Sequence, residues 1–110
     1  MEFDIEEVIK RLKIKLSIMD DSEDELLQIL LEDAYNYMVI FFDGEVPMEL
    51  LFIMENVAIK RYRRLGAEGI AIEKIDVLST TYESGDDFAE YLPIMTKHKE
   101  NKSGLGFRFL

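Results

Sequence analysis

Apolar residues recur at three-to-four spacing through the first two-thirds of the chain. Ile5, Val8, Ile9, Leu12 and Leu16 share one face, so residues 5–16 are predicted to form a short amphipathic helix. Asp4 can cap it, and Lys13 and Lys15 suit its negative end. A second, longer helix is predicted to start in the acidic run 20–25, where Ser22 and Glu25 have capping-box spacing. Its inward stripe is Leu27, Leu30, Leu31, Ala34, Met38, Phe41 and Phe42.

Asp43-Gly44 ends that helix, and Pro47 stands in the first turn of a third. Leu50, Leu51, Met54, Val57, Ala58 and Leu65 carry the third helix's apolar face, with Arg61 at its margin. Gly66 follows the cationic stretch Lys60–Arg64 and reads as the residue that stops it. The short link between the two long helices implies an antiparallel hairpin. Around residues 67–83 the periodicity changes: Ile70/Ile72 and Ile75/Val77 alternate, ahead of the β-favouring Ser79-Thr80-Thr81. This predicts an extended arm or weak β-hairpin. Ser84 and Asp87 resemble another helix start, with a short helix through Phe88, Tyr91 and Leu92 that bends or ends near Pro93. From Lys97 the chain turns polar and then finishes Phe107-Arg108-Phe109-Leu110.

The expected architecture is therefore mainly all-α: an antiparallel bundle of three to four helices around a central helical hairpin. A domain over 1–96 carries the arm, and 97–110 form a flexible tail. The 110 residues suffice for one domain, and 48% hydrophobic content supplies a core. From Met38 to Phe42 apolar side chains surround the helix, more than a lone hairpin can cover. Either the first and last helices pack there, or another subunit does.

Charge changes the picture. The net is −10, and it is lopsided: residues 1–55 hold 15 acids and four bases, residues 56–110 eight acids and nine bases. So acidic a chain is a poor ligand for phosphates, because DNA affinity rests on cations displacing counterions. The asymmetry does let one copy's acidic half meet another's basic patch. The longest apolar run is too short for a membrane span and the first residues are acidic, so no membrane role and a cytosolic origin are expected.

Catalytic chemistry finds little support. With no cysteine, thiolate zinc sites, disulfides and cysteine nucleophiles are excluded. The single histidine, His98, sits in a lysine-rich stretch and reads as a solvated surface residue. A calcium loop starting at Asp20 would need Gly at its sixth position and Glu at its twelfth, where Glu25 and Leu31 stand. No phosphate-cradling glycine loop occurs. No cofactor, no metal and no enzymatic role are expected.

Three stretches bear a resemblance. They are Asp24-Glu25-Leu26-Leu27 opening a long helix through Ala34-Tyr35, then Pro47-Met48-Glu49-Leu50, and above all Ala58–Gly69, which reads AIKRYRRLGAEG. With Tyr82 and Phe88–Leu92 beyond them, the chain resembles the small head–tail connector (adaptor, head-completion) proteins of long-tailed double-stranded DNA phages and prophages. The resemblance covers about residues 8–95. The stretch after Gly69 departs from it, being often richer in Ser and Gly there than Ile70–Ile75 is here.

The resemblance implies a structural virion protein at the head–tail junction. A ring of identical subunits, typically twelve-fold, docks below the portal protein and meets a tail-side head-completion protein. DNA passes through only as non-specific cargo. Heterologous interfaces of this kind close into rings. The expected interface residues are Arg61, Arg63 and Arg64, with Glu68 and Gly69 at the helix-to-arm junction. Phe107, Phe109 and Leu110 are the tail anchors, expected to insert into a neighbour or fold back on their own core. The competing readings are an acidic, DNA-mimicking module that binds a basic partner, and a small enzyme with carboxylate chemistry.

Overall fold

A computed structural model describes residues 3–68 and 84–103. Four α-helices account for most of them: α1 (Ile5–Leu16), α2 (Asp24–Phe41), α3 (Leu51–Glu68) and α4 (Leu92–Ser103). A 3₁₀ turn, Met48–Leu50, leads into α3, and a longer 3₁₀ segment, Ser84–Tyr91, leads into α4. No strand occurs among the described residues. The predicted all-α bundle around a helical hairpin is the observed fold. The predicted arm falls almost wholly outside the described residues, with only 67 and 68 inside, as the end of α3.

α1 begins and ends as local chemistry dictates. Asp4 Oδ1 accepts from the Glu6 amide at 3.1 Å. The helix stops at Ser17, whose left-handed backbone (φ 61°) lets Ile18 N–H reach the Lys13 carbonyl at 2.8 Å. α2 ends the same way at Asp43-Gly44. Both residues have positive φ (57° and 106°), and Gly44 N–H donates to the Val39 carbonyl at 2.8 Å. Here the glycine meets a real conformational demand.

Three local expectations are corrected. Ser22 does not form a capping box with Glu25, because Glu23 occupies the cap position of α2 and makes no side-chain cap bond. The Ser22 amide and hydroxyl both donate to Asp20 Oδ1 instead, at 3.1 and 2.8 Å, closing a tight turn before the helix. Gly66 does not stop α3, which continues to Glu68; a glycine inside a helix costs only about 1 kcal/mol relative to alanine. Pro93 opens a helix rather than closing one. In the first turn its missing amide breaks no helical bond. As a result residues 97–103, expected in the tail, belong to α4.

The helices bury a common core. α1 contributes Val8, Ile9 and Leu12, and α2 contributes Leu26, Leu27, Leu30, Leu31, Ala34 and Met38. α3 adds Ile53, Met54, Val57, Ala58 and Leu65. α1 runs antiparallel to α2: Phe3 meets Tyr35 edge-on at 5.1 Å, while Lys13 pairs with Asp21 and Asp24 at the other end. The last segment returns along α3. Phe88 stacks on Tyr37 at 4.2 Å and is wholly buried, as is Met95 of α4. Thus the chain's own last segment covers part of the apolar end of α2, while Ile40 remains exposed there.

Candidate functional site

The cationic stretch of α3 places its side chains on different sides of the helix. Arg61 points inward, where its Nε donates to Asp87 Oδ2 at 2.8 Å, and its guanidinium lies 5.9 Å from the Phe88 ring centre. Both ends of that pair are buried, with side-chain exposures of 8% and 5%. Arg64, one turn on, donates to the other Asp87 oxygen. Lys60 donates to the Asp87 carbonyl at 3.3 Å and to Glu90 at 2.7 Å, and lies over the Tyr91 ring. Arg63 is exposed and forms no ion pair with any described residue.

These contacts set the electrostatics. Burial pushes the Asp87 carboxyl up, but the two guanidinium bonds pull it down further, so its pKa lies below the ordinary carboxylate value. Lys60 lowers Glu90 in the same sense. Close by on α3, burial raises the Tyr62 phenol, assisted by the bond it donates to Glu23 at the start of α2. The arrangement is a clamp between α3 and the 84–91 segment, in which Arg61 and Arg64 are matched by Asp87 and Lys60 by Glu90. It can fix geometry.

The clamp has a counterpart on the opposite flank. Glu55 of α3 is buried and accepts from Arg11 at 3.4 Å and Lys15 at 3.2 Å, both on α1. Near the α2–α3 link, His98 Nε2 lies 3.1 Å from Glu49 and its ring stands edge-on to Phe42. Lys99 donates to the Phe41 carbonyl at 2.7 Å. His98 is therefore partly covered and paired, not solvated as expected.

With the geometry in view, the comparisons decide the family. A family model described as phage gp6-like head-tail connector protein matches residues 6–99. The chain belongs to that family. No curated protein and no solved structure matches. The chain is thus a phage structural protein of the connector class, placed at the junction of head and tail, with portal-side and tail-side proteins as partners. The connector family is a structural one. No described helix of the connector is long and apolar enough to cross a membrane.

Of the residues expected at the connector's interfaces, Arg61, Arg63 and Arg64 come from one stretch of α3, but the fold separates them. The first and third are engaged by Asp87 of their own chain, and Arg63 faces outward. Glu68 is the last residue of α3. Gly69, Phe107, Phe109 and Leu110 lie outside the described residues. Sequence reasoning missed the roles of Asp87, Glu55 and Ile53. Ile53 was visible as an apolar neighbour one position before Met54. Asp87 carried only a cap-like signal, because its partners lie 26 and 23 residues away.

Proposed function

We propose that this connector forms a ring of identical subunits, twelve-fold to match the portal, which docks below the portal and extends the DNA channel toward the next head-completion or tail protein. The observation that carries the reading is the apolar surface left outside a well-closed core. Ile14, Met19, Ile40, Met48, Phe52 and Ile94 are all large, apolar and exposed. Scattered exposed apolar residues are ordinary, but Met48, Phe52 and Ile94 gather at one end of the molecule, as contact surfaces do.

Arg63 is the outward cation of α3 and the candidate for pairing with a neighbour's acidic half. Glu68 and Gly69 form the junction where α3 meets the arm. Phe107, Phe109 and Leu110 are the anchors that order on assembly, when their ordering entropy is offset by burial. The acidic surface suits a channel wall along which DNA slides without sticking, since no counterion release rewards binding there.

Analytical ultracentrifugation and negative-stain imaging across salt and concentration test the ring. A dozen copies at −10 each repel, but screening is largely complete beyond about 8 Å at physiological salt. Monomers are therefore expected when the protein is dilute at low salt, and rings at higher salt or concentration. Protein that stays monomeric throughout and fails to pull down its cognate portal would count decisively against this reading. Arg63→Glu should weaken association without changing the melting temperature by more than a few degrees.

A further inference from the structure

Every base in residues 1–55 lies between positions 10 and 15 of α1: Lys10, Arg11, Lys13 and Lys15. Lys13 is largely covered and engaged by Asp21 and Asp24. The other three border Ile14, which is 78% exposed on their face. Their own partners hold them loosely. Lys10 is 3.8 Å from Glu7. Arg11 and Lys15 share one Glu55 oxygen at 3.4 and 3.2 Å, and keep 60% and 45% of their side chains exposed. Exposed pairs of this kind contribute little, so these cations can turn to a better partner at small cost.

We propose that this face docks on the outer face of α2 in a neighbouring copy, with Ile14 seated among Glu25, Gln28, Ile29 and Glu32. The contact rests on the ring reading above and names the two surfaces that adjacent subunits bring together. Those four α2 residues stand at i, i+3, i+4 and i+7, the spacing of a hole that receives one side chain from a facing helix. Glu25 and Gln28 are exposed, Ile29 and Glu32 partly so, and Glu25 forms no ion pair with any described residue. The hole is therefore acidic at both ends and apolar on one side. Its two acids are seven residues apart, so each stands about 5 Å along the axis from the centre. Lys10 and Arg11 precede Ile14 by four and three residues, again about 5 Å. They meet an acid whichever way the two helices run.

The occupant is a second copy, and not the same chain, because both faces point away from the shared core. α1 buries Val8, Ile9 and Leu12, and α2 buries Leu26, Leu27, Leu30 and Leu31. That leaves Ile14 and the 25–32 face turned outward. The two faces differ, so the contact is heterologous, the kind that closes into rings. A phosphate backbone suits the cationic face less well. Glu7 stands beside Lys10, Asp20 and Asp21 border the end of α1, and Ile14 gains nothing from a phosphate. Ion pairs partly buried in a contact are screened much less by salt than the long-range repulsion between subunits, so the contact persists where rings are expected.

Sedimentation velocity on the full chain, at concentrations where the wild type associates, tests the contact with two variants. Lys10→Gln/Ile14→Gln alters only the α1 face, and Glu25→Lys/Glu32→Lys only the α2 face; none of the four side chains is buried. Each variant alone should self-associate about tenfold more weakly, the ratio that about 1.4 kcal/mol produces, and melt within a few degrees of the wild type. Mixed together they should stop at a one-to-one dimer, because one intact pair of faces remains. Should either variant lose stability, the absence of cysteine allows a second reading. Ile14→Cys and Gln28→Cys proteins, mixed and mildly oxidised, should form a mixed disulfide about tenfold faster than Ile14→Cys with Met48→Cys, again the ratio that about 1.4 kcal/mol produces. Variants that assemble like the wild type overturn the contact and leave the connector ring standing. Weakening of both without rescue in the mixture overturns the pairing of these two faces. Retardation of a short DNA duplex by the wild type and not by the α1 variant overturns it in favour of phosphate binding. A wild type that never associates overturns both the contact and the ring.

Discussion

Two buried carboxylates tie helices together in this connector, and their partners differ in one respect. Glu55 is held by Arg11 and Lys15 of α1, both of which keep much of their side chain in water. Asp87 is held by Arg61, which is as buried as the acid itself, and by the partly covered Arg64. Losing Glu55 lets its cations turn to solvent. Losing Asp87 strands a guanidinium in the interior. The same charge pairing therefore carries different consequences, decided by where the cation would go if released.

The largest expected effect follows from that contrast. Asp87→Ala should destabilise by about 3–5 kcal/mol, the usual cost of breaking one side of a buried pair, measured by urea denaturation. Replacing both partners, as in Arg61→Met with Asp87→Leu, should recover most of that loss, because no buried charge is left unpaired. If the double variant is as unstable as the single one, the clamp's worth lies in geometry and not in charge.

Glu55→Gln should cost less, about 1–2 kcal/mol, since it forfeits charged hydrogen bonds while both cations regain water. Equal losses at Glu55 and Asp87 would erase the distinction between the two junctions. Acid sharpens it further. The Asp87 pKa is lowered in the folded state, so its contribution is fully present above the ordinary carboxylate value and is lost as pH falls toward the depressed one. As pH falls below the ordinary carboxylate value, the wild type should lose stability more steeply than Asp87→Asn. Parallel acid limbs in thermal melts would show that the clamp does not titrate as a unit.

The smallest effect lies away from both junctions. Ser17 holds a left-handed backbone at the end of α1, a conformation that costs a non-glycine residue about 1–2 kcal/mol. Ser17→Gly should stabilise by up to about 1 kcal/mol once the extra chain entropy of glycine is offset. A loss instead would mean that the serine side chain contributes more than its backbone strain removes.

Helical periodicity alone marked α1 to its end residues, including the Asp4 cap, and placed the hairpin of α2 and α3. Such signals are local: they depend on side chains three and four positions apart along one helix. Errors fell where a residue had two plausible employments. Ser22 could cap a helix or close a turn with Asp20. Pro93 could end a helix or begin one. Asp87 could cap a helix or take an arginine from α3. In each case the competing states lie close in local energy, and a distant partner tips the choice.

The order of apolar and polar residues determined that this chain is helical, where its long helices run, and which family it resembles. Tertiary structure alone decided which cations of the Lys60–Arg64 stretch turn inward. Neighbouring residues on a helix point about 100° apart, so Arg61 and Arg63 look alike in sequence yet face opposite environments. Only once the 84–91 segment lies along α3 does one of them meet a carboxylate and the other meet water.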